Sequence, residues 1–461
     1  MLMKSANILL LCDEASRHTG TVDEHILAFK KFSQHCIVIL DSRAAAVLNV
    51  DFSMFDAVVF HYSIIIASPS YLPPSLFERL AKFQGPKILF IQDEYRWVDR
   101  TANAARALGV SVVFTVVNSD VVRAIYRDPW FEGIRFEQTL TGFVPETLVA
   151  CSVPAYEQRP IDVSYRARRV SSWLGSFGQE KWVIGERFLS DSQHYGLTCD
   201  ISMSEGSRIY GDQWINFVAN CKAVLGTESG ASFIDFSGET QSQVEDYEKS
   251  NPTALFYDIQ RRFLHGDGET IIHVISPRCF EAAALRTLMI LYPGTYSGVL
   301  VPHRHYVVLE RDHSNMDTVV EILKDPVRAQ TIINAAYDEV AQSPDWTFEA
   351  FVARFDKVAS EEMQKVNLTM KVQATLCPKN VEERNHQALF SELEINSRQA
   401  AQSRIKSMAW ALRLQRVSRT VSVCIQKALP PSIARRVVQG GARASSIVKP
   451  ALRRLLFGRT D

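Results

Sequence analysis

The sequence lacks several of the signals that assign a chain to a large protein class. Its eight cysteines are scattered and form no C-x-x-C pair, which argues against a disulfide framework or a cysteine-ligated zinc site. No apolar run approaches the roughly 18 residues that span a bilayer, since the longest, 57–67, is interrupted by His61. No D-x-D motif follows a predicted strand, and no His, Cys or Asp cluster has metal-ligand spacing. The N-terminal residues indicate a first strand and not a secretory signal. We therefore expect a cytoplasmic protein without a bound metal or a resident cofactor.

Basic residues are concentrated at the C-terminal end of a chain whose formal net charge is zero. Residues 398–461 hold fourteen Lys or Arg against one Asp, a net charge of +13, so residues 1–397 carry −13. Apolar residues alternate with these cations, as around Trp410 and Arg413. Such a helix can lie on an anionic membrane, which would place the protein at the inner face of the cytoplasmic membrane. A disordered basic tail is the alternative, and nucleic-acid binding is disfavoured because aromatic side chains are few.

Short β-branched runs alternate with helical patterns along most of the chain. Parallel strands that are buried on both faces have this pattern, so we expect two Rossmann-like, doubly wound α/β lobes with a cleft between them and a C-terminal basic helical tail. The second series of runs includes strands at 271–275 and 288–291 and one long helix at 315–340, whereas 367–396 has no clear period. The predicted divisions are an N-terminal lobe at 1–150, a second lobe at 151–345, a crossing helix and linker at 346–397, and the tail at 398–461.

The segment 275–291 (ISPRCFEAAALRTLMIL) carries the most information about ligand binding. Ser276 is a good N-cap and Pro277 suits the first helical position, so a helix is predicted to begin directly after a strand. The free N–H groups of such a helix start, with Arg278 among its first residues, suit a diphosphate. Glu281 could face the cleft and accept hydrogen bonds from two ribose hydroxyls. A solvent-facing helix carboxylate is the alternative interpretation of Glu281.

This segment, together with Tyr296, the loop at 302–306 and the lead-in to the helix at 312–336, resembles the donor-binding half of a known family. The family is that of the bacterial group-1 GT-B glycosyltransferases, especially their spore-coat-maturation-like branch. The resemblance covers 160–345 well, the first 150 residues loosely, and the tail not at all. It implies the two-lobed GT-B fold, a nucleotide sugar as co-substrate, and a ribose-binding role for Glu281.

The sequence departs from the family pattern at two positions, and a nearby turn offers a substitute acid. His273 stands where the wider family often has a second Glu, and Arg286 stands where Gly is usual. An acid near the sugar could instead come from Glu228, a catalytic candidate that lies in a Gly-rich turn after a predicted strand. The backbone of Ser229 and Gly230 would then be available to the donor. Alternatively, the stretch is a polar turn in which Gly230 supplies a positive φ.

Cations are the next requirement, because transfer from a nucleotide sugar releases a nucleoside diphosphate that gains negative charge in the transition state. Arg168 follows the first strand of the second lobe, and Lys181 follows a Gly-rich turn. They resemble the Arg and Lys with which the family binds the donor diphosphate, although their separation is wider than usual. Surface salt bridging is the rival explanation for each.

Polar side chains also follow the predicted strands of the first lobe. His18, Gly20 and Thr21 come after the first strand, and later strand ends supply His61 and Asp93. In the resembled family, a glycine loop after the first strand approaches donor and acceptor, and strand-end His and Asp residues line the reaction centre. The resemblance therefore implies an acceptor-side loop and catalytic roles for His61 and Asp93. A structural histidine and a helix-capping aspartate are the alternatives.

These patterns together predict a metal-independent glycosyltransferase, retaining by resemblance, that serves cell-surface polysaccharide synthesis. It would move a sugar from a nucleotide-sugar donor to a glycan, lipid-linked or protein acceptor. Two alternatives remain open at this point. One is a nucleotide-sugar epimerase of the same architecture. The other is a catalytically silent sugar-binding or scaffold protein, which the departures at His273 and Arg286 make credible.

Overall fold

The computed structural model of the chain describes residues 5–48, 50–374 and 387–428, with side chains for 5–48, 50–366 and 389–409. It divides into two compact units, Met1–Arg398 and Gln399–Asp461. The first unit contains two α/β lobes, and the second is described as helix up to Ala428. The predicted amphipathic segment after residue 429 lies outside the described residues, as do the side chains of Trp410 and Arg413.

The first lobe is a six-stranded parallel sheet in the order β2-β1-β3-β4-β5-β6. Its strands consist mainly of aliphatic residues that are buried on both faces, which explains the short β-branched runs. The strands are β1 (Asn7–Cys12), β2 (Cys36–Asp41), β3 (Ala57–Phe60), β4 (Lys87–Ile91), β5 (Val112–Thr115) and β6 (Arg135–Gln138). The helices are α1 (Gly20–Phe32), α2 (Ser42–Val47), α3 (Pro74–Lys82), α4 (Val98–Leu108), α5 (Ser119–Ile125) and α6 (Glu146–Val149).

The second lobe has a five-stranded parallel sheet in the order β13-β12-β9-β7-β8 and a separate two-stranded antiparallel pair, β10-β11. The strands are β7 (Ile161–Arg166), β8 (Cys199–Ser202), β9 (Cys221–Gly226), β10 (Ser229–Ala231), β11 (Ile272–Val274), β12 (Leu288–Leu291) and β13 (Val307–Val308). The helices are α7 (Gly175–Asp191), α8 (Asp212–Ala219), α9 (Glu239–Ser250), α10 (Phe256–Phe263), α11 (Pro277–Ala284), α12 (Met316–Lys324) and α13 (Pro326–Ala336).

Three predicted elements of the second half of the chain were wrong in detail. The strand expected at 271–275 is β11, which pairs antiparallel with β10 and is not part of the parallel sheet. The helix expected at 315–340 is broken, because the Asp325 side chain accepts hydrogen bonds from Val327 N and Arg328 N and begins a new helix at Pro326. The stretch 367–396, which has no clear period, is helical in its described parts, at the end of α14 (Phe348–Ala374) and the start of α15 (Gln387–Ala428).

The chain returns to the first lobe after the second lobe is complete. Helix α14 packs along α1, and the rings of Phe351 and Phe355 meet that of Phe29 edge-on, with centroids 5.3 and 4.9 Å apart. One hydrophobic cluster therefore contains residues of both lobes and of α14. Two Rossmann-like lobes with such a returning helix have the GT-B architecture, so the predicted fold class is confirmed.

Helix α15 covers the edge strand β2 of the first sheet. The side chains of Glu394 and Ser397 accept hydrogen bonds from the outward-facing N–H groups of Ile39, at 3.0 Å, and Asp41, at 2.8 Å. An edge strand otherwise presents unpaired backbone groups to other chains. Side chains from the first turns of α15 thus accept the β2 hydrogen bonds that a seventh strand would otherwise accept.

Candidate functional site

The carboxyl ends of the parallel strands in the second lobe border an open pocket of about 400 Å³. Its walls come from the turn after β9, the loop after β12, the residues after β13 and the start of α7, and ligands bind at this edge in doubly wound sheets. The charged groups of the pocket form two pairs. Glu180 Oε1 accepts from Arg311 Nε at 2.7 Å, and Glu228 Oε1 lies 3.3 Å from Nδ1 of His273.

Glu228 is held at the wall of this pocket by several donors. It is buried, and its Oε1 accepts hydrogen bonds from Tyr296 N at 2.6 Å and from Thr295 Oγ1 at 3.2 Å. Gly294 is packed so tightly against the carboxylate that a Cβ atom at this position would collide with it. The loop after β12 therefore fixes Glu228 in one place. A catalytic role for Glu228 stays a prediction.

The predicted Gly-rich turn at Ser229 and Gly230 is in fact strand β10. Gly230 lies opposite His273 in the antiparallel pair, with a φ of +139°, and a Cβ atom there would collide with the Ile272 carbonyl. Glycine is needed here for its conformation and for the close approach of the two strands. Donor binding by Ser229 and Gly230 stays a prediction, but the pairing with β11 occupies one edge of their backbone.

Glu281 lies on α11 and is not the solvent-facing carboxylate of the alternative interpretation. It is only 9% exposed, and its Oε2 accepts a hydrogen bond from Trp214 Nε1 at 2.7 Å. Burial raises the pKa of Glu281, and the Trp214 N–H partly opposes this shift. Its Oε1 accepts no hydrogen bond from any residue that the structure describes. One carboxylate oxygen is thus held by Trp214, and ribose binding by Glu281 stays a prediction.

A second carboxylate, which sequence reasoning missed, lies near Glu281 on the opposite lobe. Burial, and then the charges of Glu281 and Asp23, raise the pKa of Glu24 to about 7. Glu24 is on the first turns of α1, directly after the loop that begins at the end of β1. The α11 carboxylate therefore lies at the boundary between the two lobes. The position of Glu24 just after Gly20 was the signal available in the sequence.

Two further cations of the second lobe, Arg168 and Arg278, lie within electrostatic range of Lys181. Burial, followed by the positive charge of Arg278, lowers the pKa of Lys181 to about 8, and Asp93 of the first lobe opposes this shift. Arg278 packs over the Trp214 ring, 4.8 Å from its centroid, and donates to the Arg166 carbonyl. Among the residues with described side chains, none of the three cations has a carboxylate partner in an ion pair. The described side chains therefore do not support surface salt bridging as the role of Arg168 and Lys181.

The start of α11 has the predicted backbone but not the predicted side-chain cap. Ser276 is the N-cap residue, with φ −84° and ψ 141°, and Pro277 takes the first helical position. The Ser276 hydroxyl makes no capping hydrogen bond to the first turn of the helix. The first N–H groups of α11 are therefore not capped by this side chain. Anion binding by Ser276 and Arg278 stays a prediction.

His61 lies in the core of the first lobe with no exposed surface. Its Nδ1 accepts from Ser63 N at 3.0 Å, so the proton is on Nε2, which lies 3.0 Å from Nδ1 of His25. Burial lowers the pKa of both imidazoles, that of His25 to about 3. These contacts match the structural interpretation of His61. Its catalytic role stays a prediction that the buried position does not support.

Asp93 lies at the end of β4 and is exposed, within electrostatic range of Lys181. Its Oδ1 accepts a hydrogen bond from the Tyr95 hydroxyl at 2.7 Å. The neighbouring Glu94 is buried and accepts from the Thr115 hydroxyl at 2.7 Å. Neither residue caps α4, whose N-cap is Trp97. Asp93 is thus the predicted catalytic residue that lies beside the cations.

The loop after β1 reaches the lobe boundary. His18 is exposed, and its ring meets the Tyr210 ring of the second lobe edge-on, with centroids 5.7 Å apart. Gly20 begins α1 in open space, with no atom within 4 Å of a Cβ position, and Thr21 follows it. The loop is therefore close enough to the second lobe to contact a ligand between the lobes. The acceptor-side role of His18, Gly20 and Thr21 stays a prediction.

The sequence matches no protein-family model and no curated protein. Solved structures of similar fold include an alpha-glucosyltransferase in complex with UDP, at 7% identity and a TM-score of 0.47, covering 77% of this chain and 100% of that one. Anabaena Alr3699/HepE in complex with UDP is 11% identical, with a TM-score of 0.45 and the same coverage. AviGT4, a glycosyltransferase involved in Avilamycin A biosynthesis, is 12% identical, with a TM-score of 0.38, covering 78% of this chain and 98% of that one.

Within the described ranges, no helix has both the length and the apolar character that a membrane crossing requires.

Proposed function

We propose that the chain is a glycosyltransferase that binds a nucleotide-sugar donor in its second lobe and an acceptor in its first. One observation carries the proposal. Lys181 lies within electrostatic range of Arg168 and Arg278, and none of the three cations has a carboxylate ion-pair partner among the described side chains. Glu281, on the same helix as Arg278, is buried and has one carboxylate oxygen without a hydrogen bond to the described residues. A nucleoside diphosphate has the complementary groups, since its phosphates need cations and its ribose hydroxyls donate to a carboxylate.

The same residues account for the chemistry of transfer. When the bond between the sugar and the diphosphate breaks, negative charge grows on the leaving phosphate oxygens. Fixed cations in a partly desolvated site stabilise this charge without reorganisation. Lys181, with a pKa of about 8, still carries its proton at neutral pH. We include metal-independent transfer in the proposal because the protein's own cations meet the charge requirement. Retention of the anomeric configuration follows only from the family resemblance.

The acceptor is proposed to bind against the first lobe, where Asp93 and the loop with His18 face the donor side. A glycan or a lipid-linked glycan fits the proposal. The tail at 398–461, with its net charge of +13, is proposed to bind an anionic membrane surface and so bring the enzyme to a lipid-linked acceptor.

The direct test is calorimetric titration of the purified protein with a panel of nucleoside diphosphates and nucleotide sugars. The informative variant is Glu281→Gln, because an amide oxygen still accepts the Trp214 N–H, whereas alanine would leave that buried donor unpaired. Hydrogen bonds to a charged group contribute about 1.5–3 kcal/mol, so we expect donor affinity to fall roughly ten- to a hundredfold. The thermal midpoint should stay close to that of the unmodified protein.

Glu239→Gln is the matched control, because Glu239 is an exposed glutamate of the same lobe. It should bind the donor as the unmodified protein does. Turnover is followed by the release of free nucleoside diphosphate in the presence of candidate acceptors. Isomerised nucleotide sugar without an acceptor would instead indicate an epimerase. Binding with no turnover of any kind would indicate a sugar-binding protein.

A further inference from the structure

Strand β11 carries a histidine that no step of the proposed function uses. Its flanking residues Ile272 and Val274 are buried in a hydrophobic cluster with side chains of the first lobe. Because side chains alternate along a strand, His273 points to the other face, where it borders the pocket of about 400 Å³. The close approach of Gly230 to β11 fixes this position.

Of the two ring nitrogens of His273, only Nδ1 has hydrogen-bond partners among the described residues. Nδ1 lies 3.3 Å from Glu228 Oε1 and 3.1 Å from Thr295 Oγ1, so its proton is directed at acceptors of the protein. Nε2 makes no hydrogen bond to any residue that the structure describes. A carboxylate that holds one ring nitrogen fixes the orientation of the ring and presents the other nitrogen to a ligand. Glu228 is in turn held by the Tyr296 N–H at 2.6 Å.

The other charged pair of the pocket has a similar arrangement. Arg311 donates from Nε and Nη2 to the carboxylate of Glu180, which leaves Nη1 without a hydrogen bond to the described residues. In both pairs the carboxylate is engaged by its partner, and N–H groups remain for a ligand. The pocket therefore favours a ligand that is rich in oxygen acceptors, such as the hydroxyl or carboxylate oxygens of a sugar.

We propose that Nε2 of His273 donates a hydrogen bond to the sugar that is transferred, and that Glu228 is the positioning residue which acts through His273. This inference rests on the proposed function, because it assigns the sugar part of the donor to the pocket. It also assigns to the β10–β11 pair a part in sugar recognition, beside Glu228, which the sequence offered as the acid near the sugar.

The charges around His273 determine how the contact depends on pH. The hydrogen bond and charge of Glu228 raise the pKa of His273, Asp120 on α5 acts in the same direction, and burial opposes them. The Arg311–Glu180 pair on the facing wall carries no net charge. The imidazolium, which alone has N–H groups on both nitrogens, therefore persists above the ordinary histidine pKa of about 6.5. Affinity for the sugar part should be constant at low pH and fall as pH rises through the raised pKa.

The first test compares binding of a nucleoside diphosphate and of the matching nucleotide sugar by calorimetry. His273→Ala and His273→Gln should both bind the diphosphate as the unmodified protein does and lose about tenfold in affinity for the nucleotide sugar. His265→Ala is the matched control, because His265 is an exposed histidine between α10 and β11, outside the pocket. Circular dichroism of each variant establishes that it is folded.

The second test separates a positioning role of Glu228 from a structural one. Glu228→Gln keeps an acceptor for the Tyr296 N–H but removes the charge that raises the pKa of His273. The pH at which nucleotide-sugar affinity falls should therefore move to a lower value. A purely structural role would weaken binding equally at every pH and would refute the positioning role.

The outcomes distinguish this inference from the proposed function. If the His273 variants bind the nucleotide sugar as tightly as the unmodified protein, the inference is overturned and the proposed function stands. If the unmodified protein binds neither the diphosphate nor the nucleotide sugar, both are overturned.

Discussion

Lys181, a proposed donor-binding residue, lowers the stability of the folded protein. Its ammonium is desolvated and lies near Arg278 and Arg168 without a carboxylate partner among the described residues, and its pKa falls to about 8. A desolvated cation without a counter-charge lowers the free energy of unfolding, and a bound anion would restore it. This is the expected pattern for a group that is selected for ligand binding and not for stability.

Replacing Lys181 by methionine should therefore stabilise the protein while weakening donor binding. Below pH 8 both the folded and the unfolded chain carry the proton, so the full desolvation cost is present in the folded state. Between pH 8 and the ordinary value of 10.5, only the folded chain has lost the proton, so the stability of the unmodified protein rises with pH. Lys181→Met should raise the free energy of unfolding at pH 7 by about 1–3 kcal/mol and remove this rise.

Chemical denaturation at pH 7 and pH 9.5 measures both effects. Lys249→Met, at an exposed lysine of α9, is the control and should change stability by less than about 0.5 kcal/mol. Lower stability of Lys181→Met at pH 7 would contradict the argument.

The residues of the site could be predicted singly, but their partners could not. A helix beginning at Pro277 with a carboxylate inside it is a local pattern, so Glu281 was accessible from the sequence. Its hydrogen-bond donor Trp214 and its neighbour Glu24 lie on other elements and become partners only through tertiary packing. The partner of His61, His25, likewise packs against Phe351 of α14, which is distant in the chain.

At the scale of elements, the prediction succeeded where a strand is buried on both faces. β1, β3 and β12 are continuous apolar runs, which explains their accurate prediction. β6 and β8 were missed because they lie at sheet edges and carry partly exposed polar residues, which interrupt the apolar pattern. Helices α9 and α10 were missed for a related reason, since each has a single buried residue.

The contact between α15 and β2 gives a prediction about one element. Glu394→Ala removes the acceptor of the buried Ile39 N–H, and an unsatisfied buried donor costs about 1–3 kcal/mol. Glu394→Gln keeps an acceptor oxygen and should cost less. Glu392→Ala, at an exposed glutamate of the same helix, should change the free energy of unfolding by less than about 0.5 kcal/mol. Equal denaturation midpoints for Glu394→Ala and Glu392→Ala would show that the helix does not complete the sheet.

At the scale of the whole molecule, the edge-covering role of α15 decides where the chain can be shortened. A protein that ends at residue 398 keeps Glu394 and Ser397 on β2, whereas one that ends at residue 386 exposes the strand and the ring of Phe55. We expect the longer protein to fold and to bind nucleotides like the full chain. The shorter one should self-associate, because its uncovered edge can pair with another copy.

Size-exclusion chromatography and thermal unfolding of the two proteins check this expectation. A monomeric protein ending at residue 386, with an unchanged thermal midpoint, would contradict it.

The same proteins test the proposed membrane role of the tail. The full chain should bind vesicles that contain anionic lipid, and the protein ending at residue 398 should not.

Strand β11 is shared between the two α/β lobes of the molecule. Ile272 and Val274 are embedded in the first lobe, while His273 between them borders the pocket of the second. A rotation of one lobe against the other would therefore pull one wall out of the proposed sugar pocket, and the reverse rotation would restore that wall. Entry of substrate and assembly of the recognition site would then be a single mechanical event, with no separate lid required.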